Sequence, residues 1–133
     1  MGAVVVGYVA KPEGEAAVEQ GIAEARLRNA TLIVVNSHRG GREFDDETSV
    51  QSEQDLSELE TKLAASGLQY ELRQLVRGFE PAEDLIGIAE SSDAELIVIG
   101  LRRRTPVGKL VMGSSAQRIL LEVSVPVLAV KPA

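Results

Sequence analysis

The sequence contains no cysteine. Disulfides, thiolate metal sites and cysteine nucleophiles are therefore excluded, and the composition is compatible with a reducing compartment. Histidine occurs once, at His38, just past a predicted strand. No carboxylate is placed to orient it, because Asp93 and Glu95 sit at the wrong end of a later strand, so a Ser-His-Asp arrangement cannot be argued. Metal-ligand spacing is absent. The longest apolar runs fall far short of a membrane span, and residues 1–10 lack the basic start of a signal peptide. The expectation is a soluble, cytoplasmic protein with no membrane partner.

Two phosphate-binding fingerprints are missing as well. Val107-Gly108-Lys109-Leu110 resembles the end of a P-loop, but GxxxxGK[ST] needs glycine at position 103 and a hydroxyl residue at position 110. The chain has Arg103 and Leu110, so the Mg²⁺-coordinating hydroxyl is lost and a Walker-type NTPase is rejected. The first loop, Val9-Ala10-Lys11-Pro12, contains no GxGxxG and hence no dinucleotide fingerprint. A net charge of −6 argues against general nucleic-acid binding.

Its distribution says more. Residues 101–118 hold Arg102, Arg103, Arg104, Lys109 and Arg118 without an acid, and residues 43–60 hold Glu43, Asp45, Asp46, Glu47, Glu53, Asp55, Glu58 and Glu60 without a base. A locally basic loop on an acidic protein suits a small anion; taken alone, it is also what an ordinary solvated loop looks like.

With 133 residues the chain fits one domain, residues 1–133, able to bury about two-thirds of its unfolded surface. Ala3-Val4-Val5-Val6-Gly7-Tyr8-Val9 is a continuous, β-branched run, as expected of a strand covered on both faces. Pro12 is placed for a first helical turn, and Val18, Ile22 and Ala25, with Ala17 beside them, give a helix its apolar stripe. Residues 31–37 form a second buried-type strand that ends in Asn36-Ser37, where a ligand-facing loop would begin. Residues 38–50 are polar and predict a mobile loop. Leu56, Leu59 and Leu63 mark a second helix, ended by Ser66-Gly67. Residues 68–76 alternate partly and predict a strand at a sheet edge.

Pro81, with Ala82, Leu85, Ile86 and Ala89, starts and lines a third helix. Leu96-Ile97-Val98-Ile99, stopped by Gly100, is a fourth strand. After the basic loop, a fourth helix begins near Gly113, with Ala116, Ile119, Leu120 and Val123 on one face, and residues 125–130 make a last strand. Alternating strands and helices imply an α/β fold with a parallel sheet and helices on both faces. Ligands of such sheets bind beyond the C-terminal strand ends, where the strand order reverses. With the first strand central, that crevice lies between strands 1 and 4, lined by Val9, Ala10, Gly100 and Leu101, with Ser37 nearby.

Residues 95–115 would serve it. A strand ending in glycine, a basic loop and Gly113-Ser114-Ser115 at a helix N-terminus make an anion site, since free N–H groups and the helix dipole favour phosphate. The plain alternative is a Ser N-cap without a ligand, worth ~1 kcal/mol.

These residues carry a resemblance. DAELIVIG (93–100), VGKLVMGSSAQRIL (107–120) and VPVLAVK (125–131) resemble the closing module of the universal stress protein family, and the whole chain resembles a single-domain member. Nucleotide-binding members carry G-x2-G-x9-G-[ST]. Gly100 fills the first place, Gly113 the third and Ser114 the hydroxyl, while Arg103 stands at the second. ATP-binding members also have an aspartate at the end of strand 1, where this chain has Val9.

The resemblance implies a Rossmann-like, adenine nucleotide alpha hydrolase-like three-layer sandwich with strand order 3-2-1-4-5. It also implies a homodimer formed through the last strand, with Val125, Val127, Leu128 and Val130 at the interface. The resemblance also divides the family into ATP-binding members and members that do not bind ATP, and this chain falls between them; the nucleotide-binding reading puts ATP, ADP or AMP at Val9, Ser37, Ile99, Gly100, Arg102, Arg103, Gly113, Ser114 and Ser115, with Mg²⁺ if the nucleotide is ATP. Arg102 and Arg103 would compensate for the lost glycine by binding phosphate.

The leading reading is a nucleotide-binding stress-response module that senses or signals, any ATP hydrolysis being slow because no positioned base is visible. The alternative is a homodimeric interaction protein that binds no nucleotide and engages an acidic partner through Arg102–Arg104. An enzyme on a nucleotide-like substrate is a third, weaker reading.

Overall fold

A computed structural model describes residues 2–8, 12–39, 46–77, 81–104, 109–111 and 114–132. Within them the order is β1 (Ala3–Tyr8), α1 (Pro12–Arg28), β2 (Thr31–Arg39), α2 (Asp46–Ala65), β3 (Tyr70–Arg77), α3 (Pro81–Ser91), β4 (Ala94–Gly100), β5 (Arg102–Arg104), β6 (Lys109–Val111), α4 (Ser114–Glu122) and β7 (Val127–Val130). Five strands form a parallel sheet of order β3-β2-β1-β4-β7, which is 3-2-1-4-5 when its own strands are counted. β1 is central, and strand order reverses on its two sides.

The apolar runs explain the layers. Successive residues of a strand face opposite ways. Val4, Val6 and Tyr8 of β1, with Leu96 and Val98 of β4, pack under α1 and α2, against Ala17, Val18, Ile22, Leu59 and Leu63. Ala3 and Val5, with Ile97 and Ile99, pack under α3 and α4, against Ala82, Leu85, Ala89 and Ile119. Neither face of β1 meets water, so Val4, Val5 and Val6 are all fully buried. Each contributes roughly 1.5–3 kcal/mol of transfer free energy, and a polar alternation would cost more than it could return.

β3 lies at one edge, as its partial alternation predicts. Tyr70 and Leu72 pack on the core, while Glu71 pairs with Arg73 at 3.2 Å on the outside. β7 is the other edge, with Val127, Leu128, Ala129 and Val130 all half-buried.

Local expectations are corrected in four places. β2 runs on to Arg39, pairing His38 with Val76, rather than ending at Ser37. Residues 46–50, expected in a loop, are the first turns of α2. Arg102–Arg104, also expected in a loop, is a strand paired antiparallel with Lys109–Val111. In α4 the expected apolar face is carried by Ile119, with Ala116 and Val123 half-buried; Leu120 is exposed, and Leu121 still more so.

Candidate functional site

β1 and β4 lie side by side where the strand order reverses, which is where the sequence expectation puts a crevice. α1 starts directly above β4. Gly100 closes β4 on the side that α1 covers, and a Cβ at this position would collide with the Glu13 carbonyl oxygen and lie 2.6 Å from its carbonyl carbon. Only glycine leaves room for the helix start to cross there. The same glycine pairs with Val130 of β7, and the next N–H, of Leu101, donates to the Val130 carbonyl at 2.8 Å.

Polar side chains are buried near this point. Tyr8 ends β1 and stands in register with Asn36 of β2, and both are buried. Glu13, in the first turn of α1, is buried too. Ile99 is buried on the other face, within the core beneath α3, so what it offers the crevice is backbone. A cleft of about 130 Å³ opens beside Tyr8 between α1 and α2, lined also by Glu15, Val18, Glu58, Leu59 and Lys62. It lies under α2 rather than over the end of β4.

The expected site residues divide accordingly. Gly100 ends β4 beneath the start of α1. Ser37 is in β2, paired with Leu75. Arg102 and Arg103 pair with Val111 and Leu110 in the two-stranded ribbon that follows β4. Adjacent strand positions fall on opposite faces, so positions 102 and 104 share one face of the ribbon and position 103 takes the other. Ser114 and Ser115 open α4, whose N-terminus is at the C-terminal end of the sheet because α4 leads down to the start of parallel β7. Val9 and Gly113 lie outside the described residues. Val125 precedes β7, and Val127, Leu128 and Val130 form it at the sheet edge.

The burial of Glu13 and Asn36 went unread in the sequence. Glu13 showed there only as a first-turn acid favoured by the helix dipole, and Asn36 only as a polar strand end.

Residues 1–131 match the family model of the universal stress protein family. The chain belongs to this family. A universal stress protein of Mycolicibacterium smegmatis is 49% identical over 129 residues, covering 97% of each chain. Among solved structures, a universal stress protein from Archaeoglobus fulgidus superposes with a TM-score of 0.80 at 36% identity, covering 98% of this chain and 99% of that one. A universal stress protein from the same organism, solved in complex with dAMP, gives a TM-score of 0.76 at 32% identity and 98% coverage of both. Among the described residues no helix is long and apolar enough to cross a membrane, and no group of three or more His, Asp or Glu is placed to hold a metal ion.

Proposed function

We propose that this universal stress protein binds an adenine nucleotide (ATP, ADP or AMP) in the crevice beyond the C-terminal ends of β1 and β4, and that it acts by sensing or signalling. The dAMP complex of a relative at 32% identity over nearly the whole chain is the observation that carries this reading. The local chemistry supports it. Ser114 and Ser115 open α4, and a helix N-terminus favours phosphate; Gly113 precedes them in the sequence. The ribbon adds Arg102, Arg103, Arg104 and Lys109, and guanidinium groups bind phosphate well where the backbone approach allowed by a glycine at position 103 is lost. The side chain of Val9 offers no acceptor to base or ribose. Mg²⁺ would enter with the oxygens of a triphosphate, and any hydrolysis would be slow. A homodimer through β7, using Val125, Val127, Leu128 and Val130, belongs to the same proposal, because β7 ends the sheet with its residues half-buried.

Mass spectrometry of small molecules released from the purified, heat-denatured protein tests the ligand. Adenine nucleotide in the wild-type sample and none from Gly113→Leu is the expected result. Equal nucleotide from both would remove the α4 start from the site. Arg103, in place of a glycine of the family pattern, favours a second reading, in which the crevice is closed and the ribbon engages an acidic protein. Wild-type protein free of nucleotide and unresponsive to added AMP would select that reading.

A further inference from the structure

Glu13 is out of place as a structural residue. It is 8% exposed, so more than nine-tenths of it is covered. Of the other acids of α1, Glu24 accepts from Arg28 Nε at 3.2 Å and Glu19 pairs with Lys62, while Glu15 has no such pair among the described residues. The Glu13 carboxylate has no hydrogen bond or ion pair with any described residue. No fully buried side-chain oxygen among the described residues is left without a partner, so its carboxylate oxygens are not sealed from solvent. The start of α1 favours a negative charge through its dipole, which explains tolerance of a carboxylate there but not a use for it.

The position of Glu13 suggests the use. Its backbone crosses Gly100, so it stands over the end of β4 on the side that α1 covers. A carboxylate repels phosphate, and the groups that attract phosphate are on the ribbon and at the start of α4. What remains for the α1 side is the nucleoside. A ribose presents two adjacent O–H donors, which match the two oxygens of an acceptor-only carboxylate.

We propose that Glu13 is the sugar-recognising residue of the crevice, its carboxylate accepting hydrogen bonds from the ribose hydroxyls of the bound nucleotide. This rests on the nucleotide reading above. It orients the ligand with its sugar over the start of α1 and its phosphate toward α4, and it supplies from a helix the acceptor that Val9 cannot.

The test is a cycle of protein and ligand changes read by calorimetric titration of nucleotide-free protein with AMP and with 2′,3′-dideoxy-AMP. Loss of a charged hydrogen bond weakens binding by about tenfold or more. Glu13→Ala is expected to weaken AMP binding by that factor and leave dideoxy-AMP binding unchanged, and wild-type protein to prefer AMP to its dideoxy analogue by the same factor. Glu13→Gln keeps the shape of the side chain against Gly100 and is expected to lose severalfold for AMP alone. Equal weakening of both ligands, or no weakening of AMP, would overturn the assignment while leaving nucleotide binding intact. Failure of the wild-type protein to bind AMP would overturn the nucleotide reading and the assignment with it.

Discussion

At the N-terminal end of the sheet, every helix hands over to its strand through a hydrogen-bonded turn. Asn29 and Asp93 adopt left-handed φ values of 55° and 56°, and Gly67 one of 77°. The Ala30 N–H reaches back to the Ala25 carbonyl at 2.9 Å, and the Ser92 N–H to that of Ile88 at 2.9 Å. Charges there are matched between elements. Arg28 donates to Glu95 at the start of β4 and to Glu24, both at 3.2 Å, and these carboxylates, Glu95 foremost, raise its pKa above the ordinary value. Arg26 donates to the Ser66 carbonyl at 2.7 Å, tying the C-terminal ends of α1 and α2 together.

The opposite end is built on other terms. Glu13 is covered but unmatched, Gly100 has no side chain, and a stretch rich in arginine separates β4 from α4. Among the described residues, acids and bases at the N-terminal end pair with one another, whereas Glu13 at the opposite end has no such pair. Parallel sheets bind their ligands beyond the C-terminal ends of their strands.

Gly100 is where this comparison breaks most easily, because it belongs to the binding end yet has a packing duty. Gly100→Val drives a side chain into the Glu13 backbone and is expected to cost about 3 kcal/mol in urea unfolding, with AMP binding lost; a cost below about 1 kcal/mol would mean that α1 does not cross there. Gly21→Ala probes the same helix where it crosses β1. Its Cβ would collide with Val6 Cγ2, and about 1–2 kcal/mol should be lost, with the nucleotide affinity of the folded protein retained. Smaller and opposite in sign, Asn29→Gly and Asp93→Gly relieve left-handed strain and should each add about 0.5–1 kcal/mol, again without effect on AMP. Smallest is Arg28→Ala at the exposed Glu24–Arg28–Glu95 cluster: a slight loss of stability that disappears in high salt, as expected of surface pairs. Any of the last three that altered AMP affinity would blur the division between the two ends.

The sequence reveals most where burial leaves a local trace. Residues 3–6 and 96–99 are apolar without interruption because both faces of their strands are covered, and residues 70–73 alternate because β3 has an outside. The first turns of α2 leave no such trace: among residues 46–55 only Val50 is apolar, so no helical spacing can be counted. The ribbon is equally silent, since three-residue strands are too short to show a period and arginine is no strand former. Gly100 was visible, but a glycine that admits a phosphate and one that admits a crossing helix look the same in a sequence. The cover over Glu13 comes from the assembled fold, so nothing within a few residues of it could reveal that this acid differs from Glu15.

Amide hydrogen exchange with and without saturating AMP compares the two ends in one experiment. The account predicts slowed exchange in residues 9–14, 100–104 and 113–117, and unchanged exchange in residues 26–31 and 92–95. Protection confined to the turns at the N-terminal end of the sheet, or none anywhere, would contradict it.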